Sequence, residues 1–252
     1  MNKTEHEADK SQTVIELRNI KKSFGKKEVL KDISMDLYKG ENLVVLGKSG
    51  TGKSVTIKCM VGLLVQDEGT AIVLGEDVNQ LPADQLKVLR AKVGFLFQSA
   101  ALYDSMTVRE NLEFPLTRVL KLKDQDEIKQ RIEEVLEAVG LASAIDMMPS
   151  DLSGGMRKRI GLARTLILKP EIMLYDEPTT GLDPITSREI SELILEMQKK
   201  YKTSSIIITH DMACAEITAD RILVMNEGTV VAEGNYEELE NSEDKLVRSF
   251  FK

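Results

Sequence analysis

Five short segments of the chain are mostly apolar on both of their faces. They are residues 42–46, 93–97, 172–175, 205–208 and 222–225. A strand that is apolar on both faces is typical of the interior of a parallel sheet whose two faces are covered. Helical segments separate these strands, and such alternation predicts an α/β fold with a mostly parallel sheet.

Two other parts of the chain follow different patterns. Between residues 14 and 37, apolar and polar residues alternate at the period of two that is typical of half-buried strands. From residue 99 to about 168 the apolar spacing becomes helical, as in Ile128, Ile132, Val135, Leu136 and Val139. We therefore expect one domain over residues 13–252, with an N-terminal antiparallel β subdomain and an inserted helical subdomain at 99–168. The polar segment 1–12 is predicted to be a disordered tail.

A glycine-rich segment follows the first buried strand and opens a helix predicted over residues 53–64. Its residues are Gly47, Lys48, Ser49, Gly50, Thr51, Gly52, Lys53 and Ser54. The glycines allow a tight turn whose backbone N–H groups point into one concavity, where the helix N-terminus also favours phosphate. Lys53 adds a positive charge, and the Ser54 hydroxyl is placed to ligate Mg²⁺. Strand, loop and helix in this order predict a P-loop, which is also typical of kinases, GTPases and recombinases.

Three further motifs lie downstream of this loop. They are Ser153, Gly154 and Gly155 at a predicted helix start, Asp176 and Glu177 at the end of a buried strand, and His210 directly after another strand. An aspartate at the end of such a strand holds Mg²⁺ in P-loop ATPases, usually through water. The serine-glycine segment alone is a helix N-cap, but its bare amides and the helix dipole also make it a second anion site.

In this order, the P-loop and the later motifs resemble the nucleotide-binding subunit of an ATP-binding-cassette (ABC) transporter. The resemblance covers residue 14 to the C-terminus and implies a P-loop NTPase (RecA-like) core that binds ATP and Mg²⁺ and hydrolyses ATP. It implies that Glu177 is the catalytic base and that His210 hydrogen-bonds the γ-phosphate. Asp176 and Ser54 would hold Mg²⁺, and Gln98 would contact Mg²⁺ and water.

The same resemblance implies further contacts with the nucleotide. Phe24 would stack on adenine, although as a lone aromatic residue it fits the core equally well. The segment Ser153, Gly154 and Gly155 would bind the γ-phosphate held by the P-loop of a second copy of the chain. Asp183 lies in a loop that signals between the two ATP sites, and it can also cap the next helix with Pro184 at the first helical position.

The amino-acid composition limits the classes of partner that this chain is expected to bind. Of 252 residues, 42% are hydrophobic and 30% are charged, and the formal net charge is -7. Because nucleic-acid-binding domains usually carry net positive charge, a nucleic-acid partner is not expected.

No apolar stretch approaches the ~20 residues of a membrane helix, and residues 1–11 lack the apolar core of a signal peptide. We therefore expect a cytoplasmic chain whose membrane-spanning segments belong to a partner. Cys59 and Cys214 fit reduced, buried thiols.

The segments 97–103, 111–116, 148–159 and 176–186 resemble the ATPase of the bacterial Mla (maintenance of lipid asymmetry) and related MCE phospholipid transporters. This resemblance implies two copies of the chain, transmembrane permease subunits and an MCE-domain lipid-binding protein. The ATPase would be peripheral, held by the permease on the cytoplasmic face of the bacterial inner membrane.

Two alternatives stay open. The first is the ATPase of an importer for amino acids or another small solute, which uses the same chemistry with a different permease. The second is a non-transport ABC ATPase in DNA repair or translation. Such proteins carry a long coiled coil or two tandem cassettes, and neither feature is found in this sequence.

Overall fold

The computed structural model describes residues 8–251, which form ten strands in one sheet and nine α-helices. The strands are β1 (Asp9–Phe24), β2 (Lys27–Lys39), β3 (Asn42–Leu46), β4 (Glu68–Val73), β5 (Glu76–Asp77), β6 (Val93–Leu96), β7 (Ile172–Asp176), β8 (Ser204–Thr209), β9 (Arg221–Asn226) and β10 (Thr229–Gly234). The helices are α1 (Lys53–Met60), α2 (Ala83–Ala91), α3 (Val108–Arg118), α4 (Gln125–Ala138), α5 (Gly154–Leu166), α6 (Pro184–Tyr201), α7 (Met212–Thr218), α8 (Tyr236–Glu240) and α9 (Lys245–Arg248).

The sheet joins a parallel part to an antiparallel part. Its strand order is β5-β4-β1-β2-β10-β9-β3-β8-β7-β6. The five strands from β9 to β6 are parallel, whereas β5, β4, β1 and β2 pair antiparallel. Strands β3 and β8 are buried at every position, which explains the apolar runs 43–46 and 206–208 that cover both of their faces. The predicted α/β fold with an N-terminal antiparallel part is confirmed.

Alternate residues of the parallel strands enter two hydrophobic cores on opposite faces of the sheet. In β3, Val44 and Leu46 pack with the helices α3 to α7, whereas Leu43 and Val45 pack with α1 and the antiparallel strands. The end of β7 is therefore fixed from both faces. This packing sets the position of Asp176, the last residue of that strand.

Two predicted boundaries were wrong. Strand β1 begins at Asp9, so residues 9–12 are extended strand rather than disordered tail, and residues 1–7 lie outside the described range. The pairing of Asp9 with Lys39 needs only backbone groups, so a polar sequence does not prevent it. Helix α1 ends at Met60 rather than near residue 64, because Gly62 adopts a left-handed conformation with φ of 64°.

Helices α3, α4 and α5 lie within the segment predicted as helical, between residues 99 and 168. The fully buried Asn111 ties the start of this segment together, since its side-chain amide donates to the backbone oxygens of Tyr103, Met106 and Thr107. Within residues 8–251, no helix combines the length and the apolar character needed to cross a membrane.

Candidate active site

The glycine-rich loop connects β3 to α1 and leaves no room for side chains at two of its glycines. A Cβ at Gly47 would lie 2.7 Å from the backbone oxygen of Met225. Gly52 has a φ of 103°, and a Cβ there would lie 2.5 Å from Leu30 Cδ2. Only glycine combines that left-handed backbone with so close an approach. The loop is therefore held close against neighbouring strands, with its backbone available to a ligand.

Lys53 opens α1 and is buried, with 6% of its surface exposed. Its Nζ donates to the backbone oxygens of Gly47 at 2.6 Å and Lys48 at 3.1 Å, and lies 3.8 Å from Glu177 Oε1. Burial lowers the pKa of Lys53, while the carboxylates of Glu177 and Asp176 act in the opposite direction. The ammonium is thus held inside the loop, where an incoming phosphate oxygen would be a better partner than a neutral carbonyl.

Ser54 and Asp176 bring two oxygen ligands together beside the loop. The Ser54 hydroxyl donates to Asp176 Oδ1 at 2.9 Å. Mg²⁺ prefers oxygen ligands and usually takes only one or two from the protein, with waters and phosphate oxygens as the rest. The pair fits that requirement.

Glu177 follows β7 in a left-handed conformation with φ of 53°, which is strained for a residue other than glycine. Its N–H donates to the Ile208 oxygen at 2.9 Å. On the side chain, Oε2 lies 2.7 Å from His210 Nδ1 and accepts a hydrogen bond from Thr180 Oγ1 at 3.2 Å. Backbone and side-chain contacts together hold this carboxylate at the site.

These residues surround one cavity of about 780 Å³. Of the predicted site residues, those that line it are Phe24, Lys48, Ser49, Gly50, Gly52, Lys53, Ser54, Gln98, Asp176, Glu177 and His210. Phe24 is 48% exposed, so its ring is available for stacking rather than buried in a core. Gly47 and Thr51 belong to the same loop without lining the cavity, and the Thr51 hydroxyl donates to the Lys48 oxygen at 2.9 Å.

The remaining predicted residues form a separate group that does not line this cavity. Ser153 caps α5, where its Oγ accepts from the Met156 N–H at 3.2 Å. Asp183 caps α6 with Pro184 in the first turn, as predicted. The two helix starts are in contact, since a Cβ at Gly155 would lie 2.6 Å from Thr186 Cγ2. Gly154 lines a second cavity of about 190 Å³.

Two polar residues of the site were missed by the sequence analysis. Thr180 donates to the Glu177 carboxylate. Lys158 is buried on α5, and its Nζ donates to the backbone oxygens of Gln98 at 2.6 Å and Glu177 at 3.3 Å. Burial lowers the pKa of Lys158, opposed by Glu177 and Asp176. In the sequence Lys158 lies between two arginines, and no local pattern distinguishes it from a basic residue exposed to solvent.

A comparison with known protein families agrees with this geometry. Residues 30–180 match the ABC transporter family. The chain belongs to that family. This ABC chain is accordingly an ATP-binding subunit with ATPase activity, as the P-loop, the Ser54–Asp176 pair and Glu177 led us to expect.

Its relatives include proteins with different stated roles. The chain is 39% identical over 256 residues to the chloroplastic protein TRIGALACTOSYLDIACYLGLYCEROL 3 of Arabidopsis thaliana, covering 95% of this chain and 74% of that protein. It is also 39% identical to the "probable ribonucleotide transport ATP-binding protein mkl" of Mycobacterium leprae, covering 94% and 68%. The methionine import ATP-binding protein MetN of Rhizobium johnstonii is 38% identical, covering 90% and 62%.

Solved structures show the same fold. The chain superposes with a TM-score of 0.84 and 29% identity on cbiO1 from Clostridium perfringens, part of the ABC transporter complex cbiONQ, covering 94% of each chain. It superposes with a TM-score of 0.79 and 31% identity on the ATP-binding cassette MJ0796, in a dimeric post-hydrolysis state bound to ADP and Pi, covering 88% of this chain and 98% of that one.

Proposed function

We propose that this ABC ATPase powers phospholipid movement between the bacterial inner membrane and the cell envelope, in a transporter of the Mla/MCE type. The observation that carries the proposal is the 39% identity, over 95% of the chain, to TRIGALACTOSYLDIACYLGLYCEROL 3, which bears the name of a glycolipid. The resemblance of segments 97–103 and 148–159 to the lipid-transporter branch supports the same cargo.

The contacts of the site support a role for each side chain in hydrolysis. Lys53 exchanges its loop carbonyls for phosphate oxygens when ATP binds, which fixes the γ-phosphate beside Glu177. The Glu177 carboxylate then orients the attacking water and takes its proton, and positioned bases of this kind commonly contribute 10²–10⁴-fold in rate. Ser54 and Asp176 would hold Mg²⁺, which neutralises charge on the phosphate oxygens when it is bound.

Three predicted side chains complete the proposed site. His210 is 62% exposed at the side chain and lies at the mouth of the cavity, where it can donate to the γ-phosphate. Gln98 also lines the cavity and would contact Mg²⁺ and water there. Phe24 stacks on adenine, and stacking of this kind contributes roughly 1–3 kcal/mol per base in nucleic-acid complexes.

The separation of the two phosphate-binding elements supports a dimer in the ATP-bound state. Ser153, Gly154 and Gly155 do not line the cavity that holds Lys53, so in a single chain they have no nucleotide to contact. A head-to-tail dimer would bring the start of α5 to the ATP held by the P-loop of the second copy. The dimeric state of the similar cassette MJ0796 is consistent with this arrangement.

The surface around residues 97–103 offers a docking site for a permease. Tyr103 is 41% exposed and Phe97 is 36% exposed, with Ala101 between them in a left-handed conformation. Arg164 fixes this surface, because it donates to the Ala101 oxygen at 2.8 Å and lies 4.8 Å from the Tyr103 ring centre. Docking here would place the ATPase on the cytoplasmic face of the inner membrane, with an MCE-domain protein completing the complex.

A second candidate function is the ATPase of a methionine or other small-solute importer. The 38% identity to MetN favours it, and the nucleotide site would be the same. The difference lies in the permease, because a rigid-body closure of the two ATPases can drive either type of membrane partner. Only the identity of that partner separates the two functions.

Affinity purification of the tagged chain from its native membrane, with partners identified by mass spectrometry, tests the proposal. We expect a permease together with an MCE-domain protein. A matched purification of Ala101→Glu, which places a bulky charge in the docking surface but outside the nucleotide cavity, should lose these partners and keep ATP binding. Recovery of an amino-acid permease and a solute-binding protein, without an MCE-domain protein, would contradict the lipid cargo.

A further inference from the structure

Lys158 is one of two buried lysines within residues 8–251, the other being Lys53 of the nucleotide site. Only 6% of the Lys158 surface is exposed, and its two hydrogen bonds go to backbone oxygens of segments far apart in the sequence. One partner is Gln98, two residues after β6, at 2.6 Å, and the other is Glu177, directly after β7, at 3.3 Å. Because burying an ammonium is costly unless it is well bonded, these contacts fix both segments relative to α5.

The same face of α5 holds the segment 98–101 at two more points. Gly161 lies one turn beyond Lys158, and a Cβ there would come within 2.8 Å of Ala100 Cβ. Arg164 lies one further turn along and donates to the Ala101 oxygen at 2.8 Å. Residues 100 and 101 are both left-handed, with φ of 61° and 50°. Helix α5 and this strained segment therefore pack together, and the Lys158 ammonium connects them to Glu177.

The direction of the Glu177 carboxylate depends on the backbone of that residue, which Lys158 contacts. The φ of Glu177 is 53°, so a small rotation of its backbone would move the carboxylate away from Thr180 and His210. Its N–H donates to the Ile208 oxygen, and its backbone carbonyl oxygen accepts hydrogen bonds from the Lys158 ammonium and from the Thr180 N–H, each at 3.3 Å. Together with Thr180, the lysine thus holds the peptide group that follows Glu177, while Ile208 holds the one that precedes it, and these two groups set the direction of the proposed base.

We infer that Lys158 is a positioning residue that orients Glu177 and transmits the position of segment 98–101 to it. The inference rests on the proposed role of Glu177 as the base. Movement of the docking surface would then alter hydrolysis through α5, without a change in the groups that bind the nucleotide.

The test compares Lys158→Met with Arg159→Met in the purified full chain. Both changes remove a cation from α5, but Arg159 contacts Val139 and Glu189, away from the cavity. We measure kcat and KM for ATP, the Kd of a fluorescent ATP analogue, and the thermal midpoint.

Because small misplacements of a catalytic group can cost about 10²-fold, we expect Lys158→Met to lower kcat by roughly 10- to 100-fold with KM and Kd within about threefold. Arg159→Met should keep kcat within about twofold, and Lys158→Arg should recover activity because a guanidinium can donate to both carbonyls.

Several results would overturn the inference. They are an unchanged kcat in Lys158→Met, an equal loss in Arg159→Met, or a loss of ATP affinity that matches the loss of kcat. If Lys158→Met does not fold, Lys158→Gln carries the same expectation, because the shorter, uncharged amide cannot replace the ammonium at both carbonyls; failure of both variants to fold would show a purely structural role. Failure of the proposed role of Glu177 is distinguishable, because then Glu177→Gln would hydrolyse ATP at the wild-type rate.

Discussion

Replacing Glu177 with glutamine tests the assignment of the base with little change in shape. The amide keeps the size of the carboxylate and can still accept the hydrogen bond from Thr180, which lies at 3.2 Å. It loses the negative charge and the ability to take a proton. Since a positioned general base contributes about 10²–10⁴-fold, hydrolysis should fall by that factor, or about 2.7–5.4 kcal/mol in activation free energy at 1.36 kcal/mol per tenfold.

The same substitution should not weaken ATP binding, although it lowers the rate of hydrolysis. Glu177 Oε1 lies 3.8 Å from Lys53 Nζ, and both groups are largely buried. Two unit charges at about 4 Å attract by about 4 kcal/mol at an effective dielectric of 20, before the cost of desolvating them is counted. The carboxylate competes with phosphate for the ammonium, so its removal should leave ATP affinity unchanged or increased.

Phosphate release and equilibrium binding of ATP with Mg²⁺ measure the two effects separately. Glu171→Gln is the matched control, because it makes the same chemical change just before β7, where Glu171 pairs with Lys92 at the surface. We expect the control to behave as the wild type. Normal turnover by Glu177→Gln, or a loss of ATP affinity equal to its loss of turnover, would refute the assignment of Glu177 as the base.

Three further predictions follow from individual contacts. Lys53→Ala should lose both ATP binding and turnover, because it removes the cation inside the loop; tight ATP binding by this variant would contradict that reasoning. In the Glu177→Gln background, ATP with Mg²⁺ should produce a dimer in light scattering, and Ser153→Arg should prevent it; dimers in both proteins would exclude a role for the start of α5. Burial raises the pKa of Cys59 and Cys214 from 9.0 to about 11, so the stability that the neutral thiols contribute is present below pH 9 and is lost as the pH rises towards 11. Each thiol contributes about 1.4 kcal/mol per pH unit over this range. Between pH 8 and 10, the free energy of unfolding measured with urea should therefore fall by about 1.4 kcal/mol less in Cys59→Ala than in the wild type. An equal fall in the two proteins would contradict this prediction.

The parts of the fold that local sequence determines were predicted correctly. Strands β3 and β8 are buried at every position, and their apolar runs were among the five segments that predicted the parallel part of the sheet. The loop from Gly47 to Ser54 was identified because glycine spacing, lysine and serine are each required by phosphate binding. The helix caps at Ser153 and Asp183 were likewise evident from local residue types.

The parts that depend on long-range contacts were not predicted. Lys158 is buried because two segments 60 and 19 residues away place their carbonyls around it, and no local pattern encodes such a meeting. The start of β1 at Asp9 depends on backbone pairing with Lys39, which a polar sequence neither favours nor prevents. The left-handed conformation of Glu177 follows from its contacts and not from its residue type, because glutamate rarely adopts it.

ATP-dependent phospholipid transfer by the native complex tests the central claim most directly. The complex purified through this chain is placed in vesicles that contain a labelled phospholipid, and transfer of the label out of its leaflet is followed with and without ATP and Mg²⁺. We predict transfer that requires ATP and falls in the Glu177→Gln complex by the same factor as its hydrolysis. A complex that hydrolyses ATP and drives uptake of methionine or another small solute, with no ATP-dependent lipid transfer, would contradict the account.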